Sequence, residues 1–140
     1  MYQEPEKLTD GEFEYVKSSL LNMLEYSRRE FQRWKSTHNE IFLRQSGEKL
    51  FNAIELFVEY VTRKNIEVHN QFRRLFRRLA NDEPHKFNIG TINELISKAD
   101  ELHRFFYEGT NLEPDIKMIE NKWNDLHTYL KDKVKEIGIK

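Results

Sequence analysis

Apolar residues recur along the chain at three- and four-residue steps, the period of a helix with one buried face. Phe13, Val16, Leu20, Leu24, Phe31 and Trp34 form the first stripe, which predicts a helix of about 25 residues ending near Thr37. Thr9 and Glu12 stand in front of it at the spacing of a capping box, in which a hydroxyl and a carboxylate satisfy the orphan donors of a helix start. A second helix is predicted from about Asn39 to Arg63, with Leu43, Leu50, Phe51, Ile54, Phe57 and Val58 among its apolar positions. That face is too wide for one neighbour, which puts this helix at the centre, and Gly47 within it would let another helix come close.

A shorter helix follows over Val68 to Ala80, and then a segment from Asn81 to Gly90 whose Pro84 and Gly90 read as a loop. Thr91 and Glu94 repeat the capping-box spacing and are expected to open a fourth helix, which Gly109 closes. The last helix is expected from about Pro114. Its heptad Ile116, Ile119, Trp123, Leu126, Leu130, Lys133 and Ile137 is apolar at all but one step, with Val134 beside the exception. The fold class expected is all-α: an antiparallel up-and-down bundle of about five helices, one domain over residues 1–140, with 1–9 as a frayed N-terminal segment.

Composition narrows the picture. Lys and Arg number 23 against 24 Asp and Glu, a formal net charge of -1, so any electrostatic binding must come from a local patch. There is no cysteine, which excludes disulfides and thiolate chemistry and fits a reducing compartment. Residues 1–10 are acidic and polar, unlike a signal peptide, and no apolar run approaches the roughly 20 residues that span a bilayer. The expectation is a cytoplasmic protein without membrane association.

Candidate chemistry concentrates in two places. In the third helix, Arg73, Arg74, Arg77 and Arg78 fall on one arc, opposite Phe72, Leu75, Phe76 and Leu79, with no acidic residue between Glu67 and Asp82. Four such charges suit phosphate contacts, and His69 opens the same helix. The plainer reading is a solvated face partly paired with acidic residues of a neighbouring helix. In the fourth helix, His103 and Tyr107 are four apart, as are Arg104 and Glu108, so each pair shares a side of the helix. They form either a site or a satisfied cluster at the edge of the core. Pairs such as Asp100 and Glu101 look like ordinary helix surface. The five histidines form no ligand pair of metal-site spacing, and the chain has no phosphate loop, nucleophile elbow or catalytic cysteine, so no metal and no cofactor is expected.

Three stretches carry a family likeness: Gly47 through Ile54, His69 through Leu75, and Ala99 through Gly109. In their order and spacing the chain resembles the archaeal PaREP1-like branch of the HEPN superfamily over roughly residues 10 to 136. The resemblance implies a helical bundle that forms a homodimer, with a site where the fourth helices of two subunits meet. It implies a binding partner such as RNA, a nucleotide or a small nucleotidyltransferase in a toxin-antitoxin system. Many members of the superfamily are metal-independent ribonucleases with an Arg-x4-6-His motif. The matching stretch here, Leu102 through Gly109, has no histidine four to six positions after an arginine. The leading expectation is therefore a non-catalytic dimeric binding module. The alternative is a ribonuclease with a degenerate motif, in which His103 would act as general base, Arg104 would stabilise phosphorane charge, and Tyr107 and Glu108 would complete the set.

Overall fold

A computed structural model of the chain describes residues 5–66, 69–107 and 116–138, with side chains at all of these except 69, 70 and 105–107. The chain is an all-α bundle whose helices are α1 (Asp10–Thr37), α2 (Glu40–Thr62), α3 (His69–Asp82), α4 (Ile89–Tyr107) and α5 (Ile116–Glu136). The capping box forms as its spacing predicts, with the Thr9 hydroxyl accepting the Glu12 N–H at 3.2 Å and the Glu12 carboxylate accepting the Thr9 N–H at 2.9 Å. Asn39 caps α2 by accepting the Ile41 N–H at 3.2 Å. Neither α1 nor α2 ends on glycine. Each closes on a residue in the left-handed region, His38 (φ 57°) and Arg63 (φ 58°), whose N–H groups reach Trp34 O and Glu59 O at 2.8 Å.

The fourth helix starts earlier than the Thr91–Glu94 spacing indicates. Asn88 is the cap, its Oδ1 accepting the Thr91 N–H at 3.1 Å while its carbonyl accepts the Ile92 N–H at 2.9 Å. Thr91 therefore lies inside the first turn. The third helix runs on to Asp82, two residues past the expected Ala80. The breaks expected at Gly109 and Pro114 lie outside the described residues.

As its wide apolar face predicts, α2 is central and touches all four other helices. Phe51 meets Phe72 of α3 edge-on at 5.6 Å, and Phe57 lies 6.3 Å from Phe76 of α3 and 6.3 Å from Phe87 ahead of α4. Gly47 is buried where α2 faces Ala99 and Leu102 of α4. On α5 the heptad positions Ile119, Trp123, Leu126 and Leu130 are buried, and Val134 takes the next place in the core. Lys133, the polar step, is mostly covered at the edge of the core, donating to Lys86 O at 2.5 Å with its ammonium 5.2 Å from the Phe87 ring centre. Aromatic rings join α1 to α5. Phe31 stacks on Trp123 at 3.9 Å, Trp123 stacks on His127 at 4.7 Å, and the Trp34 indole N–H donates to Glu120 at 2.7 Å.

These pairings give the chain direction. Phe31 with Trp123 and Leu24 with His127 set α1 against α5, and Arg73 with Asp100 and Arg77 with Asn93 set α3 against α4. Lys98 with Asp125 and Glu101 with Lys122 do the same for α4 and α5. The alternation expected of an up-and-down bundle thus holds across α3–α4 and α4–α5, and the two-residue connection His38–Asn39 requires it across α1–α2. Between α2 and α3 it does not hold. Phe51 pairs with Phe72 and Phe57 with Phe76, so α3 runs in the same sense as α2.

The N-terminal segment also departs from expectation. Residues 5–9 are held against the α2–α3 connection, where Leu8 N–H donates to Arg63 O at 2.9 Å, Asn65 N–H donates to Glu6 O at 2.8 Å, and Lys7 bridges Lys64. Beneath them Phe13 stacks on Tyr60 at 4.8 Å, and the Arg63 guanidinium covers the Phe13 ring at 4.1 Å. Among the described residues no helix is long and apolar enough to cross a membrane.

Candidate functional site

The third helix owes its two-sided character to sequence alone. Phe72, Leu75, Phe76 and Leu79 are buried against α2 and α4, which turns the arginine arc outward. At about 100° per residue, Arg73 and Arg77 occupy the edge of the arc nearer α4, while Arg74 and Arg78 lie farther out.

The α4 edge is where the structure changes the reading. Arg73 is no open charge, because its Nε lies 3.0 and 3.1 Å from the two Asp100 oxygens and its Nη2 also contacts that carboxylate. Both side chains are partly buried, at 23% and 33% exposure, so the pair ties α3 to α4. Asp100 was expected as plain surface, as was Glu101, which pairs with Lys122 of α5. Arg77 donates from Nε to Asn93 Oδ1 at 3.0 Å, a neutral partner that fixes the side chain without cancelling its charge.

Arg74, Arg77 and Arg78 are exposed and line one open groove of about 430 Å³ together with Leu75, Asn81 and Asp82. Guanidinium groups stay charged at any physiological pH and present donors in a fork that matches phosphate oxygens. A helix backbone holds these three at fixed spacing. Asn81 and the Asp82 carboxylate line the same groove, so three guanidinium groups face one opposing charge there.

The fourth-helix candidates are less of a unit. The His103 ring stacks on Phe51 of α2 at 4.5 Å with 27° between planes, an edge-of-core arrangement in which Phe51 in turn meets Phe72. Arg104 is exposed one residue on. The Tyr107 side chain, Glu108 and the His69 side chain lie outside the described residues. Among the described residues no three His, Asp or Glu side chains gather closely enough to hold a metal ion.

Of the residues singled out from sequence, then, the fold brings Arg74, Arg77 and Arg78 to one groove and assigns Arg73 to an inter-helix ion pair. Asn81, Asp82 and Asn93 complete the surroundings of the groove and were not singled out. Their part depends on how α3 sits beside α4, for which a sequence carries no direct signal. Compared with family models, with curated proteins and with solved structures, the chain matches none.

Proposed function

We propose that this chain is a non-catalytic binding module that holds the phosphates of RNA, or of a nucleotide, on the outer face of α3. The observation that carries this reading is the gathering of Arg74, Arg77 and Arg78 on one groove while Arg73 is engaged elsewhere. In a chain whose charges nearly cancel overall, such a patch is the local field that phosphate recognition requires. The likeness of short motifs to the HEPN superfamily supports the same reading and adds a homodimer, with a nucleotidyltransferase as a further partner in a toxin-antitoxin setting.

The ribonuclease alternative has less support. A general base must reach the proton it removes, and a His103 ring stacked face to face on a core phenylalanine is poorly placed for a ribose 2′-hydroxyl.

Labelled mixed RNA incubated with the purified protein, with and without EDTA, separates the two on a native gel. The expected result is retardation without cleavage, weakened in Arg74→Glu and in Arg78→Glu. EDTA-resistant cleavage that disappears in His103→Ala would replace the binding module with the ribonuclease. Absence of both retardation and cleavage would end both readings. Light scattering at micromolar concentration is expected to give the mass of a dimer, and a monomer there would remove the composite-site idea.

A further inference from the structure

The start of α1 and the end of α2 enclose an open cleft of about 490 Å³. That volume lies in the range of small-molecule sites. Leu8, Val16, Leu56 and Ile66 form its apolar wall. Its rim is braced: Leu8 is tied to Arg63, Asn65 to Glu6, and the Ile66 N–H donates to Glu59 Oε2 at 3.3 Å. Gly11 lies on the lining, and a Cβ built there meets nothing within 4 Å, so a larger side chain has room at that position. Tyr15, on the same rim, leaves 73% of its surface exposed.

The charged side chains that line this cleft share one sign, beside the neutral Asn65. Glu12 and Glu59 both line it. Burial, followed by the neighbouring charges of Glu55 and Glu12, pushes the Glu59 carboxyl up to about 7 even though it accepts the Ile66 N–H. An apolar-walled cleft with crowded carboxylates attracts a positive charge carried on an apolar body.

We propose that this cleft binds a small organic ammonium, its carbon body against Leu8, Val16, Leu56 and Ile66 and its charged head at Glu59. An ammonium donates hydrogen bonds to the carboxylate, and the face of Tyr15 adds a quadrupole that favours a cation. A metal ion suits the cleft poorly, because hard cations seek six or more oxygens and half of this wall is hydrocarbon. The inference stands apart from the α3 reading, and either can fail without the other.

The test is a titration followed by amide chemical shifts, using hexylammonium chloride and, as its uncharged counterpart, 1-hexanol. Hexylammonium is expected to shift residues 8–16 and 56–66 saturably and to bind about fivefold or more tighter than the alcohol, the worth of a partly exposed ion pair. Glu59→Gln, a near-isosteric change, is expected to weaken the amine by about the same factor. Gly11→Trp, which fills the cleft from a position with room for it, is expected to abolish saturable binding. The proposal is overturned if the alcohol binds as well as the amine, if Gly11→Trp binds it undiminished, or if the native chain shows no saturation up to about 10 mM, beyond which affinity is too weak to signify a site.

Discussion

Arg73 of α3 grips the carboxylate of Asp100 on α4, with its Nε 3.0 and 3.1 Å from the two oxygens. This pair commits Arg73 to the seam between α3 and α4, whereas Arg74, Arg77 and Arg78 line the groove. Removing either partner leaves a partly buried charge without its counterpart, so Arg73→Ala and Asp100→Ala should each cost about 1–2 kcal/mol in urea unfolding. RNA retardation by Arg73→Ala should stay close to that of the native chain. A retardation loss as large as that of Arg78→Glu would place Arg73 among the phosphate ligands after all.

Much of the architecture was legible in the sequence, and the reasons are local. The Thr9–Glu12 box and the heptad through Trp123 and Leu130 rest on neighbours within a few residues, so spacing alone reveals them. Asn88 and Thr91 are both good caps three residues apart, and only the conformation of residues 88–91 decides between them. The pinning of residues 5–9, the shared direction of α2 and α3, and the Arg73–Asp100 pair join residues far apart in the chain. Each depends on how helices settle against one another, which periodicity does not encode. The candidate site was legible as an arginine arc, but which arginines line the groove was not.

Glu59 and His127 should give stability opposite pH slopes. Glu59 is raised to about 7 by burial, so the fold holds its proton more tightly than the unfolded chain does, with an ordinary value near 4.5. Stability from this group is full below about 4.5 and is lost as pH climbs through about 7. With solvent screening its open side, the loss is about 1–2 kcal/mol. Glu59→Gln should therefore stabilise the protein at pH values above this window, as measured by thermal unfolding. A variant no more stable than the native chain there would show that the Glu59 carboxylate is well solvated.

Burial pushes His127 below its usual 6.5, against the opposing hydrogen bond to Leu24 O. Here the unfolded chain binds the proton more readily, so stability falls as pH drops below 6.5. His127→Phe, which keeps a ring against Trp123, should flatten that acid slope. An unchanged slope would assign it to other groups.

Trp123 is sandwiched between Phe31 and His127 and is almost fully buried. The rings fill the space between α1 and α5, so truncation leaves a cavity there. Trp123→Ala should cost about 3–5 kcal/mol, read from the denaturation midpoint. A loss below about 1 kcal/mol, the level of a typical exposed substitution, would contradict the stack as the main tie between the two helices.

His38 ends α1 at φ 57° without the freedom of glycine. His38→Gly should stabilise the protein by about 1 kcal/mol through relief of the left-handed conformation. A loss instead would mean that the ring, 5.4 Å from Trp34, contributes more than the backbone strain costs.

The central claim is that Arg74, Arg77 and Arg78 bind phosphates, and its most direct test is the salt dependence of RNA affinity measured by fluorescence anisotropy. Three phosphate contacts to a single strand predict a slope of log affinity against log salt of about -2. The combined Arg74→Ala, Arg77→Ala and Arg78→Ala variant should bind about tenfold or more weakly, with a slope near zero. Equal affinity and an equal slope in that variant would contradict the account.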